Sequence, residues 1–321
     1  MPGLVMSNDE LNKLYTSTDP EDLLKFYGSF KLQEEVVAWM KARPSENMNL
    51  YEQEGNSKIS VVIPTADING KLANDSKTMF SGVYTVFVES KGPNFNFARS
   101  CNLGIAKALE RNPEWVIVAN DDLRKIDGLD VLSHALDGVD RNVKMVYTKH
   151  THGIPAFNCM LVNSTNPLVG LLMRRTNAEK RANQLAKQLG VKYAAYTLDP
   201  LRQESRFEEQ KMRLIATLLG YRRKFVMQGP FTILRADFAR QSGGKVYDEA
   251  YINSYEDIDL FYNISKSHKD YAFITFKIGH KDSASLGKGE MNNLRAIANK
   301  IYFNYKYRKE LDAVKLHGGV L

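Results

Sequence analysis

Three short runs of β-branched and aromatic residues constrain the fold more than anything else in the chain: Ile59-Ser60-Val61-Val62-Ile63, Val83-Tyr84-Thr85-Val86-Phe87-Val88 and Trp115-Val116-Ile117-Val118-Ala119. None alternates apolar with polar residues, so each predicts a strand covered on both faces, as in a parallel sheet with helices above and below. The runs stop at Pro64, at Glu89 and at Asn120-Asp121-Asp122. Between the second and third, Ala98 to Glu110 places Leu103, Ile105, Ala106 and Leu109 at helical spacing. Strand, crossover, strand, helix, strand predicts an α/β fold with a mixed, mostly parallel sheet flanked by helices. Ligands of such sheets bind beyond the carboxyl ends of the strands, so Glu89, Asp121 and Asp122 are expected along one edge.

Around this sheet the chain divides into a helical N-terminal extension over 1–57, a main domain over 58–288 with an insertion at about 150–228, and a helical C-terminal tail over 289–321. Asp19-Pro20-Glu21-Asp22 is a helix start, with proline in the first turn and acids at the positive end of the dipole. Leu23, Leu24 and Tyr27, then Val36, Val37 and Met40, recur at helical spacing, and the polar stretch Glu52–Ser57 reads as a linker. Within the insertion, Asn177–Leu189 and Phe207–Leu219 predict amphipathic helices. Strand character resumes at Phe231–Leu234 and again near Tyr271–Ile278.

Hydrophobic residues at 43% and charged residues at 25% match a soluble globular protein, and no apolar run is long enough to span a bilayer. Met1 to Glu10 lacks the basic-then-apolar pattern of a secretory signal. Cys101 and Cys159 are too few for a disulfide framework, so a cytoplasmic location is expected. The net charge of +7 favours an anionic partner, but no nucleic-acid recognition motif accompanies it, which argues against nucleic acid. In the tail, Tyr302, Phe303, Tyr305 and Tyr307 interleave with Lys300, Lys306, Arg308 and Lys309. Such a segment either lies at an anionic lipid surface, here the inner membrane face, or packs its aromatic residues on the main domain.

Three groups could carry chemistry. Asp121 and Asp122 are adjacent carboxylates that repel unless a cation sits beside them, and a hard divalent ion carrying phosphate oxygens answers that need; the alternative is a pair capping a helix after Leu123. Glu256-Asp257-Ile258-Asp259 packs three acids into four residues. If helical, Glu256 and Asp259 share a face and Asp257 points elsewhere; the acids complement a helix dipole or supply a general base. His280, in Gly279-His280-Lys281-Asp282-Ser283, is either structural or a single imidazole completing an oxygen-rich metal site. Lys281 and Lys288 could neutralise a diphosphate.

In this order the segments resemble the family 2 glycosyltransferases, inverting enzymes of the GT-A (Rossmann-like) fold, and above all their rhamnosyltransferase-like members. The resemblance spans Ile59–Val146 and Gly229–Leu286. Ser60-Val61-Val62-Ile63-Pro64-Thr65 looks like the opening strand and donor turn, and Asn94-Phe95-Asn96-Phe97 with Asn102-Leu103-Gly104 like the Phe-Asn and Asn-x-Gly helix entry. Asn120-Asp121-Asp122 looks like a variant Asp-x-Asp motif. Asp248-Glu249 with Glu256-Asp257-Ile258-Asp259-Leu260 resembles the paired acid signature, and His280 with Ser283-Ala284-Ser285 the closing loop. The sequence departs from the family at Ala66-Asp67-Ile68-Asn69, where Tyr-Asn is usual, at Glu89, where Asp is usual, and in the insertion.

The resemblance implies a metal-dependent transferase that moves a sugar from a UDP-, GDP- or dTDP-sugar to a hydroxyl of a glycan, a lipid-linked glycan or a protein. Asp257 would be the base, with Glu256 as fallback. Asp122, Asp121 and His280 would hold Mn2+ or Mg2+, and Pro64, Thr65, Glu89, Arg99, Asn102 and Asp121 would bind the nucleotide-sugar. Two other classes are open: a catalytically silent binding module on the same fold, suggested by Asn120, and a nucleotidyltransferase, which would need a more basic, glycine-rich loop than Asp67-Ile68-Asn69-Gly70-Lys71.

Overall fold

The computed structural model describes residues 6–125, 127–149, 156–163, 176–200, 221–280 and 289–313. Three helices lead: α1 (Asn8–Thr16), α2 (Pro20–Gly28) and α3 (Gln33–Ala42). Asp19 caps α2 by accepting from the Glu21 amide at 2.9 Å, with Pro20 in the first turn, as the sequence predicts. The sheet strands are β1 (Asn49–Gln53), β2 (Asn56–Thr65), β3 (Val83–Glu89), β4 (Trp115–Ala119), β6 (Met145–Thr148), β10 (Phe231–Arg235) and β11 (Tyr271–Ile274), in the spatial order β1-β3-β2-β4-β10-β6-β11. Strands β2, β3, β4, β6 and β11 share one direction, and β1 and β10 oppose it. The chain is therefore a mixed α/β protein with a mostly parallel central sheet. All of β4 is buried, and β2 is buried from Ile59 to its end, which explains their unbroken apolar character.

The stretch Glu52–Ser57 is not a linker. Its first residues close the edge strand β1 and its last open β2, on either side of β3. The polar reading failed because β1 has little buried surface and so carries no apolar period. Gly55 makes the crossing, and a Cβ there would lie 2.5 Å from the Val83 carbonyl carbon. The predicted strand at Tyr271–Ile278 is two strands: β11 ends at Ile274, and β12 (Ile278–His280) pairs antiparallel with β5 (Leu123–Lys125), outside the main sheet. Phe276, between them, is buried and stacks on Phe231.

The insertion holds more strand than the sequence suggested. Three antiparallel strands, β7 (Phe157–Asn163), β8 (Tyr193–Pro200) and β9 (Tyr221–Met227), form a second sheet with β7 in the centre. The predicted helix is present as α7 (Asn177–Gln188), and that at Phe207–Leu219 lies outside the described residues. The remaining helices are α4 (Lys71–Met79), α5 (Phe97–Leu109), α6 (Leu129–Asp137), α8 (Ala236–Gln241), α9 (Glu256–Ile264) and α10 (Glu290–Ala313).

The terminal helices are not appendages. Tyr15, Phe26, Tyr27 and Trp39 of the first three helices share one core with α5, α9 and α10 and with one face of the sheet. On α10, Leu294, Ile297, Ile301, Tyr302, Phe303, Tyr307 and Leu311 are buried, while Tyr305 is exposed. Three of the four tail aromatics thus pack inward. No helix among the described residues is long and apolar enough to cross a membrane.

Candidate active site

A cavity of about 670 Å³ opens at the carboxyl edge of the sheet. One side is formed by Pro64, Thr65 and Ala66 after β2, Ser90 and Lys91 after β3, and Asn120 and Asp121 after β4. The other is formed by Asn253 to Ile258 at the start of α9, with His280 and Gly229-Pro230 completing the wall. The chain's sheet order explains the first side, because β3, β2 and β4 are adjacent and parallel and so end together.

Asp121 and Asp122 form a turn followed by β5, a strand, so they do not cap a helix. Thr65 Oγ1 donates to Asp121 Oδ2 at 2.8 Å. Burial raises the Asp121 carboxyl, the Thr65 bond opposes that, and the Asp122 charge adds to the rise. Asp122 is only 2% exposed and does not itself line the cavity. Its Oδ1 is buried and accepts no hydrogen bond among the described residues. The β5–β12 register sets His280 opposite Leu123, which brings the imidazole Nε2 to 2.9 Å from that same Oδ1, in a contact not aligned as a hydrogen bond. No group of three or more His, Cys, Asp and Glu side chains arranged to hold a metal occurs among the described residues. Of the three expected ligands, Asp122 and His280 converge, and Asp121 is turned toward Thr65.

Glu256 and Asp257 begin α9. The residue before them, Tyr255, has a left-handed backbone, φ 73°, as does Asn253 at 53°. For non-glycine residues this costs on the order of 1 kcal/mol or more each and marks a segment held by its surroundings. Glu256 and Asp259 are buried and Asp257 is half-buried, but Glu256 lines the cavity together with Asp257, so the expected separation by helix face holds only in part. Asp257 Oδ1 accepts from the Ile258 amide at 2.7 Å, and Gly229 packs so closely that a Cβ would stand 3.2 Å from Asp257 Oδ2. Burial, then the Asp257 charge, pushes Glu256 up to about 8. Burial also raises Asp257, against the Ile258 bond. Glu256 Oε2 has no hydrogen-bond partner among the described residues, consistent with a neutral acid.

The remaining predicted site residues do not line the cavity. Arg99 donates to the carbonyls of Arg43 and Pro44 and to Ser45 Oγ, fastening the chain that leaves α3. Asn102 is buried; its Nδ2 donates to Tyr247 O and Glu249 Oε1, and its Oδ1 accepts from the Tyr247 amide. Glu89 accepts from the Ile68 amide at 2.9 Å and from the Tyr51 hydroxyl at 3.3 Å. Asp248 and Asp259 share Lys306 of α10, at 2.7 and 3.0 Å. Burial raises both carboxyls; at Asp248 Lys306 together with the Ala250 amide and the Tyr302 hydroxyl reverses that, while at Asp259 burial prevails.

Several lining residues were not anticipated: Lys91, Met227, Tyr247, Tyr255 and, from α10, Ala296. Phe95 and Phe97 sit in the quoted Asn94–Phe97 motif, and Tyr255 adjoins the acids, so adjacency was an available signal. Nothing local marks Ala296. Lys281, Ser283 and Lys288 lie outside the described residues. No protein-family model matches the chain, and no curated protein matches it.

Proposed function

We propose that the chain is a metal-dependent, inverting glycosyltransferase of the GT-A type, using a nucleoside diphosphate sugar as donor. The observation that carries this reading is the convergence on one cavity of the β2 and β4 carboxyl ends, with Thr65 and Asp121, and of Asp257 on the facing wall. Asp122 and His280 suit a divalent cation: a buried carboxylate oxygen without a hydrogen bond, next to an imidazole nitrogen, offers two ligands and leaves the rest of the shell to diphosphate oxygens and water. A bound Mn2+ or Mg2+ would supply positive charge against the charge that develops on the leaving diphosphate.

The chain's own residues account for the other half of the reaction. Asp257 accepts the proton of the acceptor hydroxyl. The freed oxygen bonds to the anomeric carbon from the face opposite the diphosphate, and the bond to the diphosphate breaks with its electron pair, inverting that carbon. Glu256, protonated beside it, adds no second negative charge to the wall and leaves Asp257 as the base. Lys91, exposed at the cavity and carrying a positive charge, complements an anionic donor.

Calorimetric titration with uridine, guanosine and thymidine diphosphates, each with and without Mn2+, tests the donor half. Binding strengthened by the metal, and weakened in Asp122→Asn, is expected. Failure of every nucleotide in both conditions would overturn the reading in favour of a catalytically silent module. For the acceptor half, Asp257→Asn should lower turnover by roughly 10²–10⁴-fold with nucleotide affinity retained.

A further inference from the structure

The segment that leads into the acid pair, from Asp248 to Tyr255, is irregular, yet its backbone is held at many points by amide side chains. Asn96 Nδ2 donates to the carbonyls of Glu249 and Tyr251 at 3.0 and 2.8 Å. Asn253 ties itself to the start of α5, donating to Phe95 O at 3.0 Å and accepting from Phe97 N at 2.9 Å. The third anchor comes from the tail helix. Asn299, fully buried on α10, accepts from the Ile252 amide at 2.8 Å and donates from Nδ2 to Ile252 O at 2.9 Å and Ser254 Oγ at 2.7 Å.

Asparagine is the side chain this position requires. It offers donor and acceptor in one plane and so pairs with both backbone groups of Ile252, as a neighbouring strand would. An aspartate of the same shape would present a second acceptor to Ile252 O, and alanine would leave two buried backbone groups without partners. The contacts fall one and three residues before the left-handed turn at Tyr255, which sets the direction in which α9 starts.

We propose that Asn299 is a positioning residue of the active site: through Ile252 and Ser254 it holds the left-handed turn that aims Asp257 into the cavity, making the tail helix part of the catalytic apparatus. The kinetic consequence rests on the reading of Asp257 as base; the geometric claim does not.

The test uses the full chain carrying Asn299→Ala, Asn299→Asp or Ser254→Ala, with carboxyl-labelled Glu and Asp followed by NMR across pH, alongside nucleotide diphosphate titration and turnover. In Asn299→Ala and Asn299→Asp the Glu256 and Asp257 carboxyls should titrate closer to ordinary values than in the parent. Turnover should fall about 10–100-fold, the scale of a misplaced catalytic group, with donor KM and nucleotide affinity within about twofold. Ser254→Ala, which loses one of the three bonds, should show a smaller change in the same direction. A purely structural asparagine would lower Tm and leave the titration and the turnover per folded molecule unchanged, and that result overturns the proposal. If the Asn299 variants do not fold, an unchanged titration and turnover in Ser254→Ala overturns it equally. Absence of nucleotide binding by the parent protein would refute the transferase reading, while the carboxyl titration still decides the role of Asn299.

Discussion

Glu256 and Asp257 are consecutive carboxyls in different surroundings. Both line the cavity, but Glu256 is buried and Asp257 half-buried, and it is Glu256 that burial and the neighbouring charge hold in its protonated form. The sign of the pH effect follows. Unfolded, Glu256 ionises near 4.5; folded, it keeps its proton to about 8. Between those values the unfolded chain binds fewer protons than the folded one, so this residue makes the protein progressively less stable as pH rises through the window. Glu256→Gln removes the ionisation. Its Tm should exceed that of the parent at pH 8 and match it near pH 5, with a gain of about 1–3 kcal/mol at the higher pH. Because glutamine resembles the neutral acid, turnover at pH 7 should stay within several-fold of the parent, in contrast to Asp257→Asn. At this scale the sequence was legible where position on an element fixes direction. Helical spacing set Asp257 off from Asp259 but not from the cavity-lining Glu256, and the strand ends located Asp121, while Thr65 was named by the family resemblance. It was not legible for Arg99 and Asn102, whose partners are carbonyls and amides on segments far along the chain that no local spacing encodes.

At the scale of elements, α9 and α10 are joined by charge. Lys306 stands between Asp248 and Asp259, and Tyr302 donates to Asp248 at 2.9 Å while Tyr251 donates to Asp259 at 3.0 Å. Asp259 is almost wholly buried, so removing its cation leaves a carboxyl that must take up a proton or unfold its surroundings. Lys306→Met should therefore lower stability by roughly 1–3 kcal/mol, discounted for the partial exposure of the lysine, and denaturant melts should show the loss diminishing as the solution is made more acid and Asp259, whose carboxyl burial raises, takes up a proton. Strands β2, β3 and β4 were legible because both faces are covered and the residues say so. The edge strand β1 was not, since a strand with little buried surface has no apolar signature. Helix α10 was visible as a helix, but its ring of tyrosines and lysines could equally describe a lipid-facing segment until the core it enters was known.

For the whole molecule, the larger of two hydrophobic cores joins α1, one face of the sheet and α10. Tyr27 donates to Leu294 O, Gln33 to Ile301 O at 3.1 Å, and Asn304 bonds to both backbone groups of Tyr193 in the second sheet. A chain ending at Gly289 would expose the partners of Leu294, Ile297, Ile301, Phe303 and Leu311, each contributing about 1.5–3 kcal/mol by burial. It should lose its cooperative melt or aggregate, rather than emerge as a folded domain lacking a detachable anchor. Size-exclusion chromatography and calorimetry of the shortened chain check this, and a soluble, cooperatively melting product would contradict the dependence of this shared core on α10. The ribbon of β5 and β12 has a separate consequence. Side chains along a strand alternate in direction, so the nearness of His280 to Asp122 depends on how many residues separate Phe276 from the histidine as much as on the histidine itself. Inserting a single residue into that stretch would preserve every ligand type and every charge, yet swing the imidazole to the far side of the ribbon.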